Sequence, residues 1–152
     1  MDESREAVRR LAIAISNFEK IYVANTPKIG RQSSELWLMY ALNDGKAHSQ
    51  KQICEEWGFP RTTLNTVTKK CEISGYLTLT AIPGKRREMQ ICLTEKGKAY
   101  ASQILNVIYS AEDRAMKKTL EKYSADFVDI LGYFVKNLES SFEQELKQEE
   151  LN

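Results

Sequence analysis

The chain has 152 residues, 42% of them hydrophobic and 28% charged, values of an ordinary folded domain that exclude a disordered or fibrous protein. No apolar run approaches the ~20 residues that span a bilayer. The opening Met1-Asp2-Glu3-Ser4-Arg5 leads into an amphipathic pattern with no signal-peptide core, so a single cytoplasmic domain over residues 1–152 is expected. The net charge of +1 conceals a division: residues 46–99 hold ten Lys/Arg against five Asp/Glu, a net of +5, and the remainder holds twelve against sixteen, a net of −4. A basic middle between acidic arms is a footprint of nucleic-acid binding.

Residues 4–24 place Val8, Leu11, Ile15, Phe18 and Tyr22 three and four apart, which predicts a helix with one apolar stripe. Thr26-Pro27-Lys28-Ile29-Gly30 breaks it, and a second helix runs from about Ser34 through Leu36, Met39 and Leu42 to Asp44-Gly45. Ser49-Gln50-Lys51-Gln52 reads as a capping box, Ser49 capping and Gln52 reaching back. The short helix that follows carries Ile53, Cys54 and Trp57 and stops at Gly58. After Phe59-Pro60 another begins, proline being favoured in a first turn; its apolar positions are Leu64, Val67 and Cys71, and it ends at Ser74-Gly75. Two helices joined by a tight Gly-containing turn make a helix-turn-helix.

From Tyr76 the period changes to two. Leu77, Leu79 and Ala81 fall on one strand face, and Met89, Ile91 and Leu93 repeat the pattern beyond a tip at Pro83 to Arg87, so a hairpin is expected. Thr94 can cap a long helix with Ala99, Ile104, Leu105 and Ile108. A break near Tyr123-Ser124 precedes a last helix with Phe127, Leu131, Phe134, Leu138 and Phe142. The fold class is mainly α with a small β-hairpin.

On the helix from Arg61 to Ser74, Leu64, Val67, Thr68 and Cys71 gather on one side. Thr62, Asn65, Thr66 and Lys69 fall on or towards the other, with Thr63 and Lys70 flanking. Solvent faces usually favour good helix formers, whereas this one holds poor ones. Short hydroxyl and amide side chains suit a major groove, where they read base edges while Lys69 and Lys70 neutralise phosphates. Lys85, Arg86 and Arg87 at the hairpin tip would reach the neighbouring minor groove or backbone. Gln50 and Lys51, in the first turn of the preceding helix, are candidate phosphate contacts. A solvated surface is the plain alternative for both the helix face and the charged tip. A helix-groove contact with another protein is a second.

"SQKQICEEWGFPRTTLNTVTKKCEISGYL", followed by a basic hairpin and "LTEKG", resembles the winged helix-turn-helix of the MarR (multiple antibiotic resistance regulator) family over essentially the whole chain. The resemblance implies a winged helix-turn-helix lobe at 34–98 between dimerisation helices at 1–30 and 100–152. It also implies a homodimeric transcriptional regulator, a repressor, on a pseudo-palindromic double-stranded DNA operator. The apolar stripes at 4–24 and 124–146 fit a dimer, although an antiparallel pair within the chain would serve them too. The DNA-contact set is Ser49, Gln50, Lys51, Arg61, Thr62, Thr63, Asn65, Thr66, Lys69, Lys70, Lys85, Arg86 and Arg87. The family's wing usually carries an Asp two residues before a characteristic Arg; here that Arg corresponds to Arg87 and the Asp position holds Lys85.

Many relatives bind small phenolic or amphipathic ligands between the dimerisation helices and the DNA-binding lobe. Tyr22, Trp37, Tyr40, Tyr100 and Tyr109 could line such a space, but aromatics at helical spacing also make core, and no ligand residue is assigned. Some relatives sense peroxide through a cysteine in the first helix; this chain has only Cys54, Cys71 and Cys92. Their odd number and lack of CxxC spacing argue against disulfides or a zinc ribbon, and Cys92 is the candidate if the chain is redox-responsive. The one histidine, His48, stands in a loop, and no GxGxxG, Walker or HExxH motif occurs. Neither catalysis, a cofactor nor a metal is expected.

Overall fold

A computed structural model of the chain describes residues 2–149; the ends of the expected 1–30 and 100–152 segments, at residues 1 and 150–152, lie outside them. Among these residues α1 is Glu3–Asn25, α2 Ser33–Leu42, β1 His48–Ser49, α3 Gln50–Trp57, α4 Arg61–Ile73, β2 Leu77–Ala81, β3 Met89–Leu93, α5 Glu95–Leu120 and α6 Asp126–Glu149. The three strands form an antiparallel sheet in the order β1-β3-β2. The chain is thus the expected mainly helical molecule with a hairpin.

Two features differ from the sequence reading. The break after α1 is itself a 3-10 turn, Thr26–Ile29, closed by Gly30 in the left-handed region. Its Thr26 hydroxyl donates to the Tyr22 carbonyl at 2.9 Å. The sheet also has a third strand: His48 pairs with Ile91 and Ser49 with Gln90. Two residues carry no period, so a strand this short leaves no pattern in a sequence.

The chain divides into two compact units, the first ending at Val107 and the second starting at Ile108. In the first, Leu36, Leu38, Met39 and Leu42 of α2 are buried with Ile53 of α3, Leu64, Val67 and Cys71 of α4, Leu77 and Ile91 of the sheet, and Ala101 and Leu105 of α5. The stripe assigned to α4 is the buried one, Thr68 included. α1 buries none of its side chains, and Ile13, Phe18, Ile21 and Val23 are exposed. In the second unit α6 also buries none, leaving Val128, Ile130, Val135, Phe142 and Leu146 in the open.

Candidate nucleic-acid interface

The helix-turn-helix is fixed at both of its joints. Ser49 Oγ accepts the Gln52 amide at 3.1 Å and Gln52 Oε1 accepts the Ser49 amide at 2.9 Å, so the capping box is complete. Gly58 ends α3 at φ 66°, a left-handed position that costs glycine little. Pro60 stands just outside α4 as its N-cap, one residue earlier than the expected first turn, and Arg61 opens the helix. α4 closes on a Schellman motif: the Tyr76 amide donates to Cys71 O and the Gly75 amide to Glu72 O, both at 2.9 Å.

The two stretches that carried the resemblance meet in space. Thr94 Oγ1 donates to Gly75 O at 2.6 Å and accepts the Gly97 amide at 3.0 Å, while Lys96 Nζ donates to Ser74 O at 2.8 Å. "SGYL" and "LTEKG" thus form one joint between the end of α4 and the start of α5.

On α4, Arg61, Thr62, Asn65, Thr66, Lys69 and Lys70 are exposed and Thr63 is half-buried. Thr66 Oγ1 donates to the Thr62 carbonyl at 3.0 Å, which satisfies that hydroxyl within the helix. Gln50, at the start of α3, donates from Nε2 to Asn65 Oδ1 at 3.2 Å, joining two residues that are 15 apart in sequence. Lys51 is exposed and lies 3.7 Å from Glu55. Ser49 is buried as a cap.

Lys70 has a different commitment. Its ammonium donates to Glu35 Oε2 at 2.8 Å, and the Tyr100 hydroxyl donates to Oε1 of the same carboxylate. Glu35 is only 6% exposed, and a charge buried to that extent needs such partners. Burial alone would raise its pKa; the hydrogen bonds from Lys70 and Tyr100, with the charges of Lys70 and Arg31, outweigh it and hold the carboxyl below its ordinary value. Lys70 is raised, chiefly by its bond to Glu35. Tyr100 is raised by burial and by the same bond; its ring stacks on Tyr76 at 4.0 Å, with Arg31 5.5 Å above it. The sequence reading passes over Glu35, because an acidic residue in a first helical turn is ordinary dipole compensation. Nothing local distinguishes a buried one.

The wing turns on Ile82-Pro83-Gly84-Lys85. The Lys85 amide donates to Ile82 O at 3.1 Å, and Gly84 has φ 79°, the proline-glycine signature of a type II turn. Lys85, Arg86 and Arg87 are exposed. Lys85 pairs with Glu88 at 2.9 Å, so its charge is partly answered on the wing itself.

Two further assignments are refined. His48 sits 2.9 Å from Asp44 Oδ1 and pairs in β1 rather than lying in a loop. Cys71 is buried, and burial followed by the Glu35 charge pushes its thiol up to about 11, so it stays protonated at neutral pH; Cys54 and Cys92 are half-buried. Of the aromatics, Tyr22, Trp37 and Tyr40 continue from Phe18 to Trp57 as a ladder with centroid steps of 4.9, 5.2, 5.5 and 5.5 Å, whereas Tyr100 stacks on Tyr76.

Residues 29–88, the segment holding α2, the helix-turn-helix and the wing tip, match the family model described as MarR family. Over that segment, 60 of its 152 residues, the chain is similar to the MarR family. Its fold matches that of a MarR family regulator from Neisseria meningitidis at a TM-score of 0.70 and 21% identity, covering 95% of this chain and 99% of the other. It also matches overoxidized AbfR bound to DNA (TM-score 0.59, 15% identity, 92% and 97% covered). A third match is NadR in complex with 4-hydroxyphenylacetate (TM-score 0.59, 12% identity, 91% and 92% covered). At these identities the likeness is one of MarR fold. No curated protein matches the chain. Among the described residues no helix is long and apolar enough to cross a membrane.

Proposed function

We propose that this chain is a sequence-specific transcriptional repressor, acting in the cytoplasm as a homodimer on a pseudo-palindromic double-stranded DNA operator. The observation that carries the reading is the exposed outward strip of α4, Thr62, Asn65, Thr66 and Lys69, with Gln50 of α3 bonded to Asn65 and with Arg86 and Arg87 exposed on the wing. In this reading the protein works by binding, without chemistry of its own. Arg61 and Thr63 flank the reading face, Lys51, Lys69, Arg86 and Arg87 hold phosphates, and Ser49 acts by fixing the first turn of α3.

The dimer is supported by the bare apolar faces of α1 and α6, which a second copy would cover. Effector relief is supported by the aromatic ladder and by the aromatic acid held in the NadR complex; a small phenolic or amphipathic compound is the expected class. The test is selection of duplexes from a random pool by the full chain. An enriched inverted repeat, with affinity falling as salt rises, is the expected result. A pool that stays random would remove the reading.

A further inference from the structure

The hydrogen bond between Gln50 and Asn65 bears on what is read, and its consequence rests on the DNA-binding reading above. We propose that Asn65 reads an adenine in each half-site and that Gln50 is its positioning residue, fixing which end of the Asn65 amide faces which way.

The argument is one of donors and acceptors. A carboxamide offers two N–H donors and an oxygen with two lone pairs. Gln50 Nε2 occupies one lone pair of Asn65 Oδ1 at 3.2 Å. That leaves Asn65 with its second lone pair and both Nδ2 hydrogens. Adenine presents N7 as an acceptor beside the N6 amino donor in the major groove, which one amide can satisfy through two bonds. Guanine presents N7 and O6, two acceptors, and cannot use the oxygen. An unrestrained amide can rotate end for end and offer either group. While Gln50 donates to Oδ1, as it does here, the amide keeps one oxygen lone pair and both N–H groups for the adenine edge.

The restraint has a firm base. Gln50 follows Ser49, whose side chain closes the capping box and whose backbone pairs with Gln90 of β3. Its backbone is thus held by both a helix cap and a sheet. Asn65 lies within α4, where Leu64 before it and Val67 and Thr68 after it are buried, so the helix cannot rotate about its axis without opening the core. Two side chains on separately anchored elements lose less freedom on binding than a single flexible one. Asparagine is also a weak helix former, and its presence there is otherwise unexplained.

The experiment selects duplexes from a random pool with the full-length wild type, with Gln50→Met, which keeps length but removes the donor, and with Asn65→Ala. Far-ultraviolet circular dichroism and thermal melting of each protein serve as the check on folding. The wild type should enrich an A·T pair at two symmetric positions. Asn65→Ala should lose preference at those positions only. Gln50→Met should relax the same positions from adenine towards either purine, with roughly a ten-fold loss on the selected duplex that exceeds any loss on a scrambled one, and the double variant should match Asn65→Ala. No enrichment by the wild type would sink the DNA-binding reading itself. Enrichment in which Asn65→Ala relaxes a pair other than A·T would overturn the adenine assignment. Gln50→Met retaining the full preference would overturn the positioning role.

Discussion

Gly97 of α5 is packed so closely on Tyr76 that a Cβ added to it would lie 1.7 Å from the Tyr76 carbonyl oxygen. That oxygen also accepts the Thr94 amide at 3.0 Å, so neither backbone can withdraw without breaking the joint between α4 and α5. Alanine is the better helix former by about 1 kcal/mol, yet Gly97→Ala should destabilise the first unit by about 1–3 kcal/mol or more. Thermal unfolding compared with Gly132→Ala of α6, where an added Cβ meets nothing within 4 Å, measures it. Equal or higher stability of Gly97→Ala would show that the joint is loose.

Thr68 is 1% exposed and its Oγ1 has no hydrogen-bond partner. An unsatisfied buried hydroxyl costs about 1–3 kcal/mol, and valine has nearly its shape. Thr68→Val should therefore raise the stability of the unit by about 1 kcal/mol, read from the midpoint of urea unfolding at unchanged slope. A lower midpoint would mean that the hydroxyl is bonded in solution.

Glu35 sets an acid limit. Its carboxyl is held below the ordinary value, so its contribution to stability is present above the unfolded-chain pKa of about 4.3 and is lost as pH falls through the lower folded value. Lys70 is raised, so its contribution is present below the ordinary lysine value and is lost only as pH climbs through the raised one. Stability from this pair should be flat between about pH 6 and 9. Glu35→Ala should cost about 1.5–3 kcal/mol through the charged hydrogen bond from Tyr100 and should flatten the acid side of the stability profile. An unaltered acid limb would separate Glu35 from acid unfolding.

The wing should act through charge alone. Arg86→Ala and Arg87→Ala should each weaken binding to selected and scrambled duplexes by similar factors. The slope of log K against log salt should become shallower by roughly 0.9 for each phosphate no longer neutralised. Lys85→Ala should do less, because Lys85 already answers Glu88. An unchanged slope for the double arginine variant would leave the wing without a role in DNA binding.

How much of this is legible in the sequence depends on the distance along it. The α4 stripe, the Ser49–Gln52 box and the Pro83–Gly84 tip are written in residues at most seven positions apart, where helix period, cap chemistry and turn chemistry act directly. The hydrogen bonds from Gln50 to Asn65, and from Lys70 and Tyr100 to Glu35, join residues 15, 35 and 65 positions apart. No local pattern encodes such a partner, so in sequence Lys70 reads as a phosphate ligand and Glu35 does not stand out. β1 escapes for the opposite reason: at two residues it is too short for its alternation to register.

In the proposed homodimer, the apolar side chains that α1 and α6 leave uncovered in one copy would make dilution a denaturant in its own right. Burial that two molecules supply to one another enters the folding equilibrium with their concentration. Each ten-fold fall in protein shifts the free energy available to it by about 1.4 kcal/mol. The helix-turn-helix lobe carries its own core and would escape this dependence, so scarcity of the protein would loosen the terminal helices while leaving that lobe folded.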